Sequence, residues 1–349
     1  MTEQPDQRRR ASIYDVAKRA GVSHMTVSRV INDQPNIRPA TRQRVMTAIS
    51  ELGYLPSSAG RALARSPTMR LGVIVNGPNE YGPNSTVLSI ERAARARGYT
   101  LLVHSRADSD EALEAEAALE LAGLGAEAIC VIGPGQATLE GHGLRDIGMP
   151  VTVTAMPGSG AYYNAAFIDQ EKGVALAIAH LVGLGHRRIA HISGSIATVE
   201  ASLRERAWRS GVSAFDPSPV VLNGDWSSEF GYHVGQHREM LGEATAVFCA
   251  NDQMALGLVH GLATRGVRIP ADVSVVGFDD RPESKHFMPP LTTVSQDFDH
   301  LGSAIVDVTL RAIEGEPDTE LVRLLPELVV RESTAPPRAE ASTTRDSAI

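Results

Sequence analysis

The sequence predicts an all-α helix-turn-helix module followed by a two-lobed α/β core built on parallel sheets. Three observations carry this. Residues 12–54 place apolar side chains at helical spacing around a glycine break. From Leu71 onward, short β-branched runs recur at intervals near 30 residues. The charge is also unevenly divided: residues 1–66 hold 11 Lys/Arg and 5 Asp/Glu, a net of +6, while the rest of the 349 residues carry −14. A small basic module on a large acidic body is suited to a polyanion at one end.

The N-terminal helices follow from local signals. Ser12 is placed to cap a helix whose inner positions are Ile13, Val16, Ala17 and Ala20, and Gly21 stops it. Ser23 caps a second segment with Val27, Val30 and Ile31 inward. Asn32 to Pro39 is a loop, and a third helix opens at Thr41 with Val45, Ile49 and Leu52 inward. Helix, glycine turn, helix is the helix-turn-helix pattern, and with the basic charge it points to DNA.

The core reads as alternating strands and helices. Strands are expected at Leu71–Val75, Leu101–His104, Ala128–Ile132, Val151–Ala155, Ile189–Ser193, Ala246–Cys249 and Val273–Phe278. Amphipathic helices are expected at Thr86–Arg97, Glu111–Leu121 and Lys172–Leu184. Runs apolar at every position imply strands covered on both faces, hence parallel sheets joined by crossover helices. About 270 residues of this exceed one comfortable core, so two lobes are expected. Residues 332–349 lack apolar periodicity and read as a disordered tail.

Several chemistries find no support. No stretch of 18 apolar residues exists, and MTEQPDQRRR is not followed by an apolar segment, so a cytoplasmic protein without membrane contact is expected. Cys130 and Cys249 sit in apolar runs and read as buried thiols. Phosphate-loop, HExxH and GxSxG motifs are missing, so neither an enzyme nor a cofactor is expected. His233 and His237, four apart, lack a placed third ligand and read as a solvated helix face rather than a metal site. The glycines of GLGAEAICVIGPG read as a helix stop before a strand.

The stretches IYDVAKRAGVSHMTVSRVIN and TRQRVMTAISELGYLP closely resemble the N-terminal module of the LacI/GalR family of bacterial transcription repressors. HLVGLGHRRIAHISG, NGDWS, ANDQMALG, DVSVVGFDD and PPLTTVSQDF are similar to that family's sugar-sensing core, so the resemblance covers about residues 12–332. The motif content is most like the family's lactose-responsive members. The resemblance implies a DNA-binding domain over 1–56, a hinge helix over 57–66, and a periplasmic sugar-binding-protein-like, dimerising core over 67–331. It further implies a sequence-specific repressor, nucleoid-associated when DNA-bound, that pairs as a homodimer on double-stranded operator DNA and responds to a small sugar, with a galactoside as the candidate. The alternative within the family is a corepressor-activated regulator with a non-sugar ligand. Nothing after Arg331 offers a heptad seam, so a dimer rather than a tetramer is expected, with helix 86–97 as an interface element.

Recognition helices turn their N-terminal side chains to base edges, which selects His24, Met25, Thr26 and Arg29. Arg29 suits a bidentate guanine contact. Ser23, Ser28 and Asn32 suit phosphates, and Tyr54 joins the DNA-contacting set. In the hinge SSAGRALA, the resemblance makes Leu63 the minor-groove wedge, with Arg61 reaching phosphate. Ser57 and Gly60 depart from the family's usual Asn and Ala.

For the ligand, motif matching assigns Arg204, Asn251 and Asp279 to sugar hydroxyls and Trp226 to the ring face, with Gln296 and Phe298 near the crossing between lobes. Asn76 and Pro83 follow the first strand, where ligands of open α/β sheets bind. Asp280 reads as a helix cap. Two further departures stand out. Ala155 occupies the place of a sugar-binding carboxylate, and Glu200 replaces an expected serine. Glu200 either supplies the missing charge and pairs partly with Arg204, or merely caps or solvates its own helix start.

Overall fold

A computed structural model describes residues 12–31, 37–52, 67–77, 79–106, 111–140, 143–156, 163–195, 197–315 and 321–338. The chain divides into two compact units, residues 1–68 with 145–149, and residues 69–144 with 150–349.

In the first unit, α1 (Ile13–Ala20) opens with a reciprocal cap: Asp15 N–H donates to Ser12 Oγ, and Ser12 N–H donates to the Asp15 carboxylate at 2.8 Å. Gly21 ends it in the left-handed conformation, φ 63°. Ser23 Oγ accepts from Thr26 N–H (3.1 Å) at the start of α2 (His24–Ile31). Helix α3 (Pro39–Leu52) begins at Pro39, two residues before the expected Thr41, because proline suits the first helical turn. Val16, Ala20, Val27, Val30, Val45 and Ala48 form the core of the three helices. Asn32, Tyr54, Arg61, Leu63 and the hinge 57–66 lie outside the described residues.

The second unit holds two α/β lobes. In chain order the first runs β1 (Arg70–Asn76), α4 (Tyr81–Ala96), β2 (Thr100–Arg106), α5 (Glu111–Gly123), β3 (Ala128–Ile132), α6 (Gln136–Glu140), β4 (Val151–Val153) and β5 (Asn164–Ile168). The second runs α7 (Gln170–Gly183), β6 (Ile189–Ser193), α8 (Val199–Val212), β7 (Val221–Asn223), α9 (Ser228–Gln236), β8 (Ala246–Cys249), α10 (Asp252–Thr264), β9 (Ser274–Asp279) and β10 (Thr292–Ser295). Helix α11 (Phe298–Glu314) and β11 (Leu321–Leu324) then return to the first lobe, and β12 (Glu327–Val329) to the second.

Among the described residues the strands form two six-stranded sheets of like winding, ordered β11-β5-β4-β3-β1-β2 and β12-β10-β9-β8-β6-β7. Every pairing is parallel except β10 with β12. Strands β5, β7 and β10 are not among those expected from the sequence; β10 buries Thr292 and Thr293 completely. The apolar stretch that closes the core forms two strands, β11 and β12, parted at Pro326, which cannot donate to a ladder. Cys130 and Cys249 are buried, and burial pushes the Cys130 thiol up to about 11.

The chain passes between the lobes at Asp169–Gln170, Gln296–Asp297 and Leu325–Pro326, and these passages are tied together. Asp169 N–H donates to Leu324 O (2.9 Å), Arg323 pairs with the Asp169 carboxylate, and Gln170 Nε2 donates to Gln296 Oε1 (3.0 Å). In the second lobe, α9 and α10 meet backbone to backbone through Gly231 and Gly235 against Gly257 and Gly261. A Cβ on Gly257 would lie 1.8 Å from Ser228 O.

The boundary expected at 332 is corrected. Ser333 is fully buried: Val275 N–H donates to Ser333 O (2.9 Å), and Ser333 Oγ donates to Val275 O (2.6 Å). His186 Nε2 lies 2.9 Å from Ala335 O. Backbone and hydroxyl hydrogen bonds, rather than apolar periodicity, hold residues 332–338 on the second sheet. Residues 339–349 lie outside the described residues.

Candidate functional site

The two sheets turn the C-terminal ends of their strands toward a common cleft, a cavity of about 210 Å³. In doubly wound sheets this is where ligands bind, because the loops after neighbouring strands diverge there. All nine residues selected from the sequence line it: Asn76, Pro83, Glu200, Arg204, Trp226, Asn251, Asp279, Gln296 and Phe298. Residues missed by the sequence line it too, notably Glu80, Tyr81, Thr154 and Gln170.

Arg204, one turn into α8, is the electrostatic centre. Its Nε donates to Gln170 Oε1 (2.8 Å) and its Nη1 to Ala250 O, while Nη2 lies 3.8 Å from Asp279 Oδ1. The guanidinium packs 3.8 Å over the centre of the Phe278 ring. Asp279 ends β9 at φ 105° and accepts from Gln296 Nε2 (2.7 Å). A non-glycine residue there costs about 1–3 kcal/mol, and such strain collects at functional positions. Two of the passages between lobes, Gln170 and Gln296, are therefore hydrogen-bonded directly to groups that face the cavity.

Trp226, at φ 71° after β7, is held by Asn251, whose Nδ2 donates to Trp226 O (3.0 Å). Asn251 Oδ1 also accepts from Met254 N–H (2.8 Å), so Asn251 is the cap of α10 as well as a wall of the cleft. Gly194 makes room for the indole: a Cβ there would lie 2.0 Å from the ring. Asp280 does not cap a helix; it pairs with Arg331 at 2.6 Å. Asn76 Nδ2 donates to Glu114 Oε1 (2.7 Å) and Gly133 O (3.0 Å). Since the Gly133 carbonyl can only accept, the amide orientation is fixed. Asn76 Oδ1 and Trp226 Nε1 are buried and have no hydrogen-bond partner among the described residues.

Glu200 sits in the first turn of α8, and Thr198, not Glu200, is the capping residue. The ion pair of Arg204 within 4 Å is with Asp279, although the guanidinium still lowers the Glu200 carboxyl against the upward push of burial. Ala155 is buried and outside the cavity lining, whereas Thr154 is in it. Burial raises the Glu80 carboxyl to about 7, with Glu200 adding repulsion and Arg204 opposing. Burial likewise raises Asp279 to about 7 and Asp252 to about 6.

A raised carboxyl favours folding in its neutral form, an advantage full below the ordinary carboxylate range and lost as pH rises through the folded value. Glu80→Gln is therefore expected to gain about 1–3 kcal/mol relative to the parent between about pH 5 and 8. The buried histidines titrate in both proteins and cancel in the difference. Paired thermal melts across that range check this, and a flat difference refutes it.

In the first unit, His24, Met25 and Arg29 are exposed on α2, with Thr26 and Ser28 half-buried. The His24 ring lies 5.2 Å from that of Tyr14. Ser23 is occupied as the helix cap. Met25 and Arg29, four apart, share one exposed face, while Val27 and Val30 are buried.

Comparison with known proteins places this architecture. Residues 12–57 match the bacterial regulatory proteins of the lacI family, and residues 178–334 match a periplasmic binding protein-like domain. The lactose operon repressor of Escherichia coli (strain K12) is 33% identical over 348 residues, covering 96% of this chain and 93% of that protein. A crystal structure of the lac repressor dimer bound to operator and the anti-inducer ONPF is 31% identical, with TM-score 0.71 over 94% of this chain and 100% of that one. A complex of the transcriptional regulator CelR with cellobiose is 30% identical, with TM-score 0.69 over 93% of this chain and 100% of that one. A three-helix DNA-binding module and a two-lobed ligand-binding core, in this order and at this similarity, identify the chain as a member of the lacI family of DNA-binding transcriptional repressors.

Proposed function

We propose that this repressor binds operator DNA as a homodimer and that a small sugar in the interlobe cleft sets its operator affinity, with galactosides favoured. The observation that carries the reading is the convergence of Arg204, Asn251, Asp279 and Trp226 on one cavity. Sugars are held by polar side chains that bond their hydroxyls and by an aromatic face against the ring. The solved relatives support it: one is a dimer on its operator, and another holds cellobiose. Effector and operator are coupled because each prefers a different arrangement of the lobes, and a ligand shifts an equilibrium only through such a difference. The test is operator binding measured against a panel of galactosides, glucosides and their free sugars. At least one is expected to change operator affinity, and the direction of the change separates inducer from corepressor. If none does, the sugar reading falls.

On the DNA side, Arg29 reads a base. Arg29→Ala is expected to cost about 1–3 kcal/mol and to relax preference at one base position per half-site. Binding to a panel of half-site variants measures this. A loss that is uniform across sequences makes Arg29 a phosphate contact instead.

A further inference from the structure

Among the described residues, the cleft lining sets three carboxyl groups, Glu80, Glu200 and Asp279, against one guanidinium, that of Arg204. Glu80 enters from the first lobe at the start of α4, where its side chain makes no capping hydrogen bond. Its carboxylate lies back over Gly77: a Cβ on that glycine would be 3.0 Å from Glu80 Oε1. Glu200 enters from the second lobe, and Asp279 from the end of β9. Arg204 faces all three, but its nitrogens are already engaged by Gln170, Ala250 and Asp279. The other charged groups nearby do not redress the balance. Asp252 adds to the negative side, and Arg281, which acts on Asp279 from outside the lining, also faces Glu283 at 3.5 Å.

The uncharged walls lean the same way. Asn76 is 6% exposed, and its fixed amide leaves Oδ1, an acceptor, without a partner. Among the buried polar atoms of the described lining residues, the one donor without a partner is Trp226 Nε1. A ligand completing this set must bring hydrogen-bond donors and positive charge. The aromatic lining, with Tyr81, Trp226 and Phe298, favours a cation held beside a ring.

We propose that the effector is an amine-bearing carbohydrate, with its ammonium group seated between Glu80 of one lobe and Glu200 of the other. This deepens the sugar reading above and rests on it. Glu200 repels the Glu80 carboxylate, and an ammonium between them replaces that repulsion with two charge-assisted contacts. Because the contacts come from opposite lobes, the charged group would also favour closure of the cleft. Burial holds Glu80 and Glu200 toward their neutral forms, so ammonium binding should expel protons.

Calorimetry on the full chain tests this with galactosamine and glucosamine, each compared with its neutral parent sugar and its N-acetylated form. The work runs between about pH 5.5 and 7, below the range in which an amine loses its proton. One of the amino sugars is expected to bind about tenfold or more tighter than both uncharged counterparts. The margin should widen toward pH 7, with protons released into buffer. In the Glu80→Gln, Glu200→Gln double variant, amino and neutral forms should come within about twofold of each other. A neutral sugar that binds as tightly as its amino form overturns the ammonium seat and leaves the sugar reading standing. So does a preference that survives in the double variant. If no carbohydrate binds, charged or neutral, both readings fall.

Discussion

Arg204→Ala is expected to abolish the effector response while leaving operator recognition in place, with effector affinity falling about 100-fold or more. Arg204 is 5% exposed, and its guanidinium holds four groups at once: Gln170, the Ala250 carbonyl, Asp279 and the face of Phe278. Truncation leaves the Ala250 carbonyl and the Asp279 carboxylate short of a partner, and Glu80 and Glu200 lose their opposing charge. Breaking a buried pair in this way costs about 3–5 kcal/mol, so the core should also melt earlier. The DNA-binding helices have their own hydrophobic core and do not depend on this residue to fold. Arg204→Lys keeps the charge but cannot reproduce the planar set of donors, and it should recover only part of the response. Operator-fragment anisotropy with rising effector separates the cases. An alanine variant that responds at the parent's effector concentration removes Arg204 from the mechanism.

Gly257→Ala should be the most damaging single methyl in the second lobe, costing at least about 3 kcal/mol. The added carbon would fall 1.8 Å from Ser228 O and 2.7 Å from Tyr232 N. Both atoms are backbone, so no rotamer change relieves the clash and the two helices must separate. Their contact also buries Val234, Met254, Leu258 and Leu262, which would lose packing together. Gly123→Ala is the matched control. That glycine lies in the last turn of α5 with nothing within 4 Å of a new Cβ, and the change should stabilise by about 0.5–1 kcal/mol. Denaturant melts of the two variants should move in opposite directions. A Gly257→Ala protein as stable as the parent would mean that the two backbones are not in contact.

The cleft was legible where its residues stand in motifs at strand ends, as with Asn251, Asp279 and Gln296. It was not legible where function depends on which distant segments meet. Glu80 carries no sequence signal of its own; its meaning comes from facing Glu200 and Arg204 across the lobes. Gln170 looks like an ordinary helix start, yet it joins Arg204 to Gln296. Asn251 and Asp280 show the limit of local rules. Both follow a strand, but Asn251 caps a helix while Asp280 answers an arginine 51 positions away. The parallel strands were recognisable from all-apolar runs, whereas Thr292 and Thr293 hide a buried strand behind hydroxyls. The chain end at 332–338 stays on the sheet through backbone hydrogen bonds, which periodicity does not register.

The passages between lobes bear on how the chain is made. Neither lobe is continuous in sequence: the first is begun by residue 76 and lacks its last strand until Leu324. Leu301, Ile305, Val306 and Leu324 fill its core, and they are synthesised after the body of the second lobe. At about 5–20 residues per second, the ribosome needs roughly 10–30 s to move from the end of β5 to β11. Through that interval the nascent first lobe exposes Val73, Ile90 and Cys130, which its own missing helix will later cover. Expression in cells with reduced chaperone capacity should therefore lower soluble yield through this lobe, and a circular permutant that brings α11 and β11 ahead of β1 should escape that dependence.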